Sequence, residues 1–64
     1  MKDFIILTDT RSIRSFLVNV NAIKYLEPRD NCTFVCFSSH RRHSYGILVR
    51  EDIHDIKIRI FQAQ

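Results

Sequence analysis

The chain has 64 residues, 45% hydrophobic and 27% charged, with a formal net charge of +3 and a sequence pI near 9.2. That length admits one domain, residues 1–64, whose core supplies only about 3–5 kcal/mol, so association with a second chain is expected. Seven aromatic side chains exclude a disordered chain, and the net charge, +1 over residues 1–31 and +2 over residues 32–64, excludes a continuous basic stripe.

Phe4-Ile5-Ile6-Leu7 is a short apolar run ending at Thr8-Asp9-Thr10, which predicts a strand. Residues 8–14 read as a turn or hairpin loop. In Ser15–Val20 the apolar positions Phe16, Val18 and Val20 fall on one face, a period of two that predicts a second strand. Residues 21–23 form a tight turn in which Asn side chains bond to nearby backbone, and Lys24–Glu27 is a third strand. Glu27-Pro28-Arg29-Asp30-Asn31 has the composition of a turn, with Pro fixing φ at its second position.

Cys32–Ser38 is apolar on both faces, as befits a central strand covered on each side. Ser39–His43 is polar and predicts a hairpin tip, with Ser44–Arg50 returning as a strand. Gly46, the chain's one glycine, marks a bulge or a close backbone approach there and would allow the bend that closes a small barrel. For residues 52–61 two patterns compete: Ile56, Ile58 and Ile60 alternate as in a strand, whereas Ile53, Ile56 and Ile60 share a helical face. Capping favours the helix. Asp52 can accept from the amide of Asp55, and Lys57 and Arg59 would sit toward the negative end of the dipole. Ile58 and Phe61 lie off the apolar stripe. The predicted fold is mainly β: a curled antiparallel sheet or SH3-like barrel of four to five strands with a short C-terminal helix.

No apolar run approaches the roughly 20 residues of a membrane span. The amino terminus carries Asp3 and lacks a small-residue cleavage site, so no signal peptide is expected. The two cysteines then read as free thiols in a reducing, cytoplasmic compartment.

Cys32, Cys36, His40 and His43 place two thiols and two imidazoles within twelve residues. Zinc-finger spacing separates its Cys pair from its His pair by about a dozen residues, and here three residues intervene. On an extended strand Cys32 and Cys36 stand about 13 Å apart, beyond a shared metal or a disulfide. No metal, cofactor or catalytic residue is expected, and a single glycine excludes a glycine-rich phosphate loop.

Two surfaces remain as candidates. At the tip, Arg41 and Arg42 could grip phosphate or carboxylate bidentately, His40 and His43 could gain charge below about pH 6.5, and Tyr25, Tyr45 and Arg50 could assist. The plain alternative is a hairpin tip kept in water by its charges. On the last helix, exposed Ile58 and Phe61 would form a subunit interface. The two functions expected are therefore a non-enzymatic module acting through protein contacts as a homo-oligomer, or a nucleic-acid-binding regulator using the tip.

The runs Phe16-Leu17-Val18-Asn19-Val20-Asn21-Ala22-Ile23, Tyr25-Leu26-Glu27, Thr33-Phe34-Val35-Cys36-Phe37 and Val49-Arg50-Glu51-Asp52-Ile53, with Ile56 and Ile60, resemble the FlbD-like family of short proteins linked to flagella and swarming motility. The resemblance spans residues 4–60 and implies a small regulatory or assembly module. A more distant likeness, through Ile5-Ile6-Leu7-Thr8 and Val49–Ile53, is to the CsrA family of RNA-binding regulators, whose glycine-rich early turn and central Ala-Pro segment this chain lacks.

Overall fold

The computed structural model describes residues 3–63. Its elements run β1 (Phe4–Thr8), β2 (Ser15–Asn19), a 3-10 turn (Val20–Ala22), β3 (Tyr25–Arg29), β4 (Cys32–His40), β5 (His43–Val49) and α1 (Ile53–Ala63). The mainly β expectation with a terminal helix holds. The β1–β2 hairpin forms one antiparallel sheet, in register from Phe4 opposite Asn19 to Thr8 opposite Ser15. A second antiparallel sheet has the order β3-β4-β5, which puts the doubly apolar β4 in the centre.

Of the two arrangements expected, a curled sheet or a barrel, the closed barrel does not form. The two sheets meet at one isolated bridge, Asp9 opposite Val49, and at the Arg50 amide, which donates to the Thr8 carbonyl at 2.9 Å. The reason lies on the β1 edge that faces away from β2. There the Thr8 amide donates to the Glu51 carboxylate at 2.8 Å, and the Ile6 carbonyl accepts from the Arg59 guanidinium. Side chains occupy the peptide groups that a closing strand would need.

Between the sheets and α1 lies the core: Ile5, Leu7, Val18, Val35, Val49 and Ile56, flanked by partly buried Phe16, Val20, Ile23, Leu26, Phe37, Ile47, Ile60 and Ala63. The helix packs on β1 and β3. Leu7, Val35, Val49 and Ile56 are fully buried, each stabilising the fold by roughly 1.5–3 kcal/mol relative to exposure. Among the described residues Thr33 is the buried polar one, and its hydroxyl donates to the Glu51 carbonyl at 2.8 Å, so its burial leaves that donor paired.

Two of the predicted turns contract. Pro28 and Arg29 belong to β3, and Asp30-Asn31 alone make the turn, with Asn31 at φ 62; Asn tolerates that left-handed conformation. Pro28 survives in a strand because β3 is an edge. Likewise His40 and His43 pair with each other, leaving a tip of two residues, Arg41 and Arg42, with Arg41 at φ 55.

The helix begins as its cap predicts: the Asp52 carboxylate accepts from the Asp55 amide at 2.7 Å. It runs on to Ala63, however, and no basic residue sits in its last turn. Arg59 therefore does not answer the dipole. It pairs with Asp55 at 3.3 Å and with Glu51 at 3.6 Å.

Glu51 has a side chain only 8% exposed. Burial pushes its carboxyl up, but the Thr8 amide, its own amide, the Thr8 hydroxyl and the Arg59 guanidinium together outweigh that and hold it below the usual glutamate range. A depressed folded value gives stability that is present above roughly pH 4.3, the ordinary glutamate value, and is lost as pH falls through the folded one. Urea unfolding followed from neutral to acid pH should show this loss, and Glu51→Gln should be less stable at neutral pH with a flatter acid limb.

Candidate functional site

His40, Arg41, Arg42 and His43 are all exposed at the β4–β5 tip. β3 pairs with β4 only from Cys32 to Cys36, so from Ser38 to Tyr45 the two strands pair with each other alone and form an arm. Its base is tied down where the Tyr25 and Ser44 hydroxyls share a hydrogen bond of 3.1 Å and where Lys24 Nζ donates to the Ser39 hydroxyl. Tyr45 is exposed beside the tip, its ring centroid 6.5 Å from that of His43.

Arg50 does not join this cluster. It follows the far end of β5, seven residues beyond His43, which is roughly 23 Å of extended chain. Its guanidinium donates instead to the Ser12 carbonyl at 3.2 Å, bracing the β1–β2 loop. Nor do the cysteines converge with the histidines. Cys32 is half-buried and Cys36 buried, both as free thiols, and the Cys36 thiol donates to the Ser38 carbonyl at 3.3 Å.

Ile58 and Phe61 are 56% and 81% exposed on α1, three residues apart and so on one side of the helix. A second apolar pair lies on the outer face of the first sheet, where Ile6 stands opposite Leu17, at 57% and 60% exposure.

Sequence reasoning missed a cleft of about 320 Å³ on the outer face of the second sheet, lined by Phe16, Arg29, Phe34, Gly46–Leu48 and the Asp9–Arg11 loop. The Arg29 guanidinium stacks over the Phe34 ring, 4.8 Å from its centroid, while its Nε donates to Glu27 at 2.8 Å. Reading Pro28-Arg29 as turn hid this arginine, which is in fact a strand residue. The loop over the cleft is held by Asp9, whose carboxylate accepts from the Arg11 amide at 3.3 Å and the Ser12 hydroxyl at 3.0 Å. These bonds, the Arg11 amide foremost, keep Asp9 below the usual aspartate range.

Gly46 was the available signal. The ladder shifts between Cys36 and Ser38, so that Gly46 opposes Cys36 and Tyr45 opposes Ser38. Phe37 is the extra residue, and its ring packs against the core. At this bulge the backbones come so close that a Cβ on Gly46 would collide with the Val35 carbonyl and lie 2.9 Å from the Cys36 Cα. Only glycine fits without moving a strand. Gly46→Ala should therefore cost about 1–3 kcal/mol in urea unfolding, through forced backbone displacement.

Comparison with protein-family models, with curated proteins and with solved structures found no match for the chain.

Proposed function

We propose that this chain is a non-enzymatic regulatory or assembly module that acts through protein contacts, and that it associates with a second copy of itself through α1. The observation that carries this reading is the pair Ile58 and Phe61, exposed at 56% and 81% on a helix whose other side already fills the core. A core this small supplies only about 3–5 kcal/mol, and burying two large apolar side chains against a partner would add to it. The resemblance to the FlbD-like family supports a module of this kind, and the two unpaired thiols fit a reducing, cytoplasmic setting.

Sedimentation equilibrium tests the reading. The chain should weigh twice its 7.6 kDa at micromolar concentration, and Phe61→Glu with Ile58→Lys should return it to the single-chain mass with an unchanged circular dichroism spectrum. A single-chain mass at every concentration would end the proposal.

A second reading, nucleic-acid binding through the tip, is favoured by one specific feature. Arg41 holds a left-handed backbone at φ 55, where a glycine would normally stand. Keeping a cation there has an energetic cost, and two guanidiniums, two imidazoles and exposed Tyr45 then project together from the arm. The CsrA resemblance points the same way. If this reading holds, Arg41→Gly with Arg42→Ala lowers affinity for a single-stranded oligonucleotide and reduces the slope of log affinity against log salt by about 1–2. Unchanged affinity and slope would remove the tip from consideration.

A further inference from the structure

We propose that the free edge of β5 is a docking site for an acidic peptide segment, which adds in extended form beside β5 and lays apolar side chains into the cleft over Phe34. The site is independent of the α1 face.

β5 ends the β3-β4-β5 order, and its second edge is bridged only at Val49 among the described residues. The direction of the peptide groups along it follows from one bond. The Arg50 amide points away from β4, since it donates to Thr8. Peptide groups alternate along a strand, so Leu48, Gly46 and Ser44 also direct their N–H and C=O groups outward. Such a row is a template for another strand.

The edges of β1, β3 and β5 are treated differently. On β1 the outward groups are taken by Glu51 and Arg59. On β3 the edge carries Pro28 and the Glu27–Arg29 ion pair. From Ser44 to Leu48, β5 carries no charge and no proline, and the cleft runs beside Gly46, Ile47 and Leu48. Phe34 and Phe16 give that cleft an apolar lining, suited to alternate side chains of an added strand.

Charge selects the occupant. No acidic residue occurs from position 31 to 50. Arg41 and Arg42 stand beyond one end of the edge and Arg50 beyond the other, while Arg11 lines the cleft, as does Arg29, whose charge is already paired with Glu27. The acid in the cleft, Asp9, has both oxygens engaged within its own loop. A second copy offering its own β5 in antiparallel order would bring its Arg50 toward Arg41 and Arg42, the cations beyond the two ends of the strand, which opposes self-pairing at this edge. A nucleic-acid backbone supplies acceptors without the donors that the outward carbonyls require. An acidic peptide supplies both donors and negative charge.

Amide hydrogen exchange by NMR on the full chain tests the site, with an alternating Glu-Val octapeptide, its Lys-Val counterpart and octathymidylate as probes. The Glu-Val peptide should slow exchange at Ser44, Gly46 and Leu48 by about tenfold or more at millimolar concentration, and the other two probes should not. Ser44→Pro, tolerated on an edge whose N–H faces outward, should abolish the protection. Arg11→Glu with Arg42→Glu, both at exposed positions, should transfer it to the Lys-Val peptide. The proposal is overturned if the Glu-Val peptide leaves those amides unprotected, or if protection survives either variant. Protection by octathymidylate would assign the edge to nucleic acid instead, and protection without any probe, together with a doubled mass, would assign it to a second copy.

Discussion

The packing of this molecule depends on what happens at Glu51. Its carboxylate accepts from the Thr8 amide, its carbonyl accepts from the buried Thr33 hydroxyl, and its second oxygen faces Arg59. One residue therefore ties β1, β4 and α1 together at the corner where the sheets meet. Arg59 completes the arrangement by reaching the Ile6 carbonyl, so the two ionic groups cover the outward edge of β1. Remove that cover and β1 presents open peptide groups next to a helix held against it by apolar packing alone. The two sheets share a single bridge, so side chains, more than ladder bonds, set their relative placement.

How far this was legible from residues alone follows from the range of each interaction. Period-two spacing at Phe16, Val18 and the doubly apolar run around Val35 reports local burial, and it located β2 and β4. The choice of helix for residues 52–61 was legible because the Asp52 cap is a contact over three residues. Interactions over long separations left no such trace. Arg59 reads as an ordinary helix-end charge and Glu51 as no more than part of a run, since their partners Ile6 and Thr8 lie 53 and 43 residues away. Turn chemistry misled in the same direction: Pro28 marks a turn by propensity, yet an edge strand needs no amide on its outer side and accommodates it. The tip residues were recognisable as a cluster, but the left-handed backbone at Arg41 breaks the usual preference and could not be anticipated. Arg50 was grouped with the tip by sign of charge, and the length of β5 carries it away.

The outer face of the second sheet is furnished differently from the inner one. Inside, Val35, Ile47 and Val49 are aliphatic and meet Leu7 and Ile56 in the core. Outside, aromatic and charged groups cover one another. Arg29 lies on Phe34 and is neutralised by Glu27. Tyr25 reaches from β3 across to Ser44 on β5, and its cross-strand partner Cys36, lying between those strands, is fully buried as a result. Cation–π and hydrogen-bonded pairs of this kind suit a face left in water, since they satisfy polar ends while shielding apolar surface.

Phe37, Gly46 and the cleft meet at one irregularity in the ladder. Phe37 is the extra residue of the β4 bulge, and a bulge sharpens local twist. Twisting brings the facing backbone against the Val35 carbonyl, where only glycine fits. Because Gly46 has no side chain, β5 has a bare midpoint, and its bare midpoint borders the cleft. Had the extra residue been polar, the bulge would place an unsatisfied group toward the core; being Phe, it adds apolar cover there. The bulge therefore adds apolar cover inside at Phe37 and sets the bare Gly46 beside the cleft outside. That coupling is why the chain's one glycine sits in the middle of a strand.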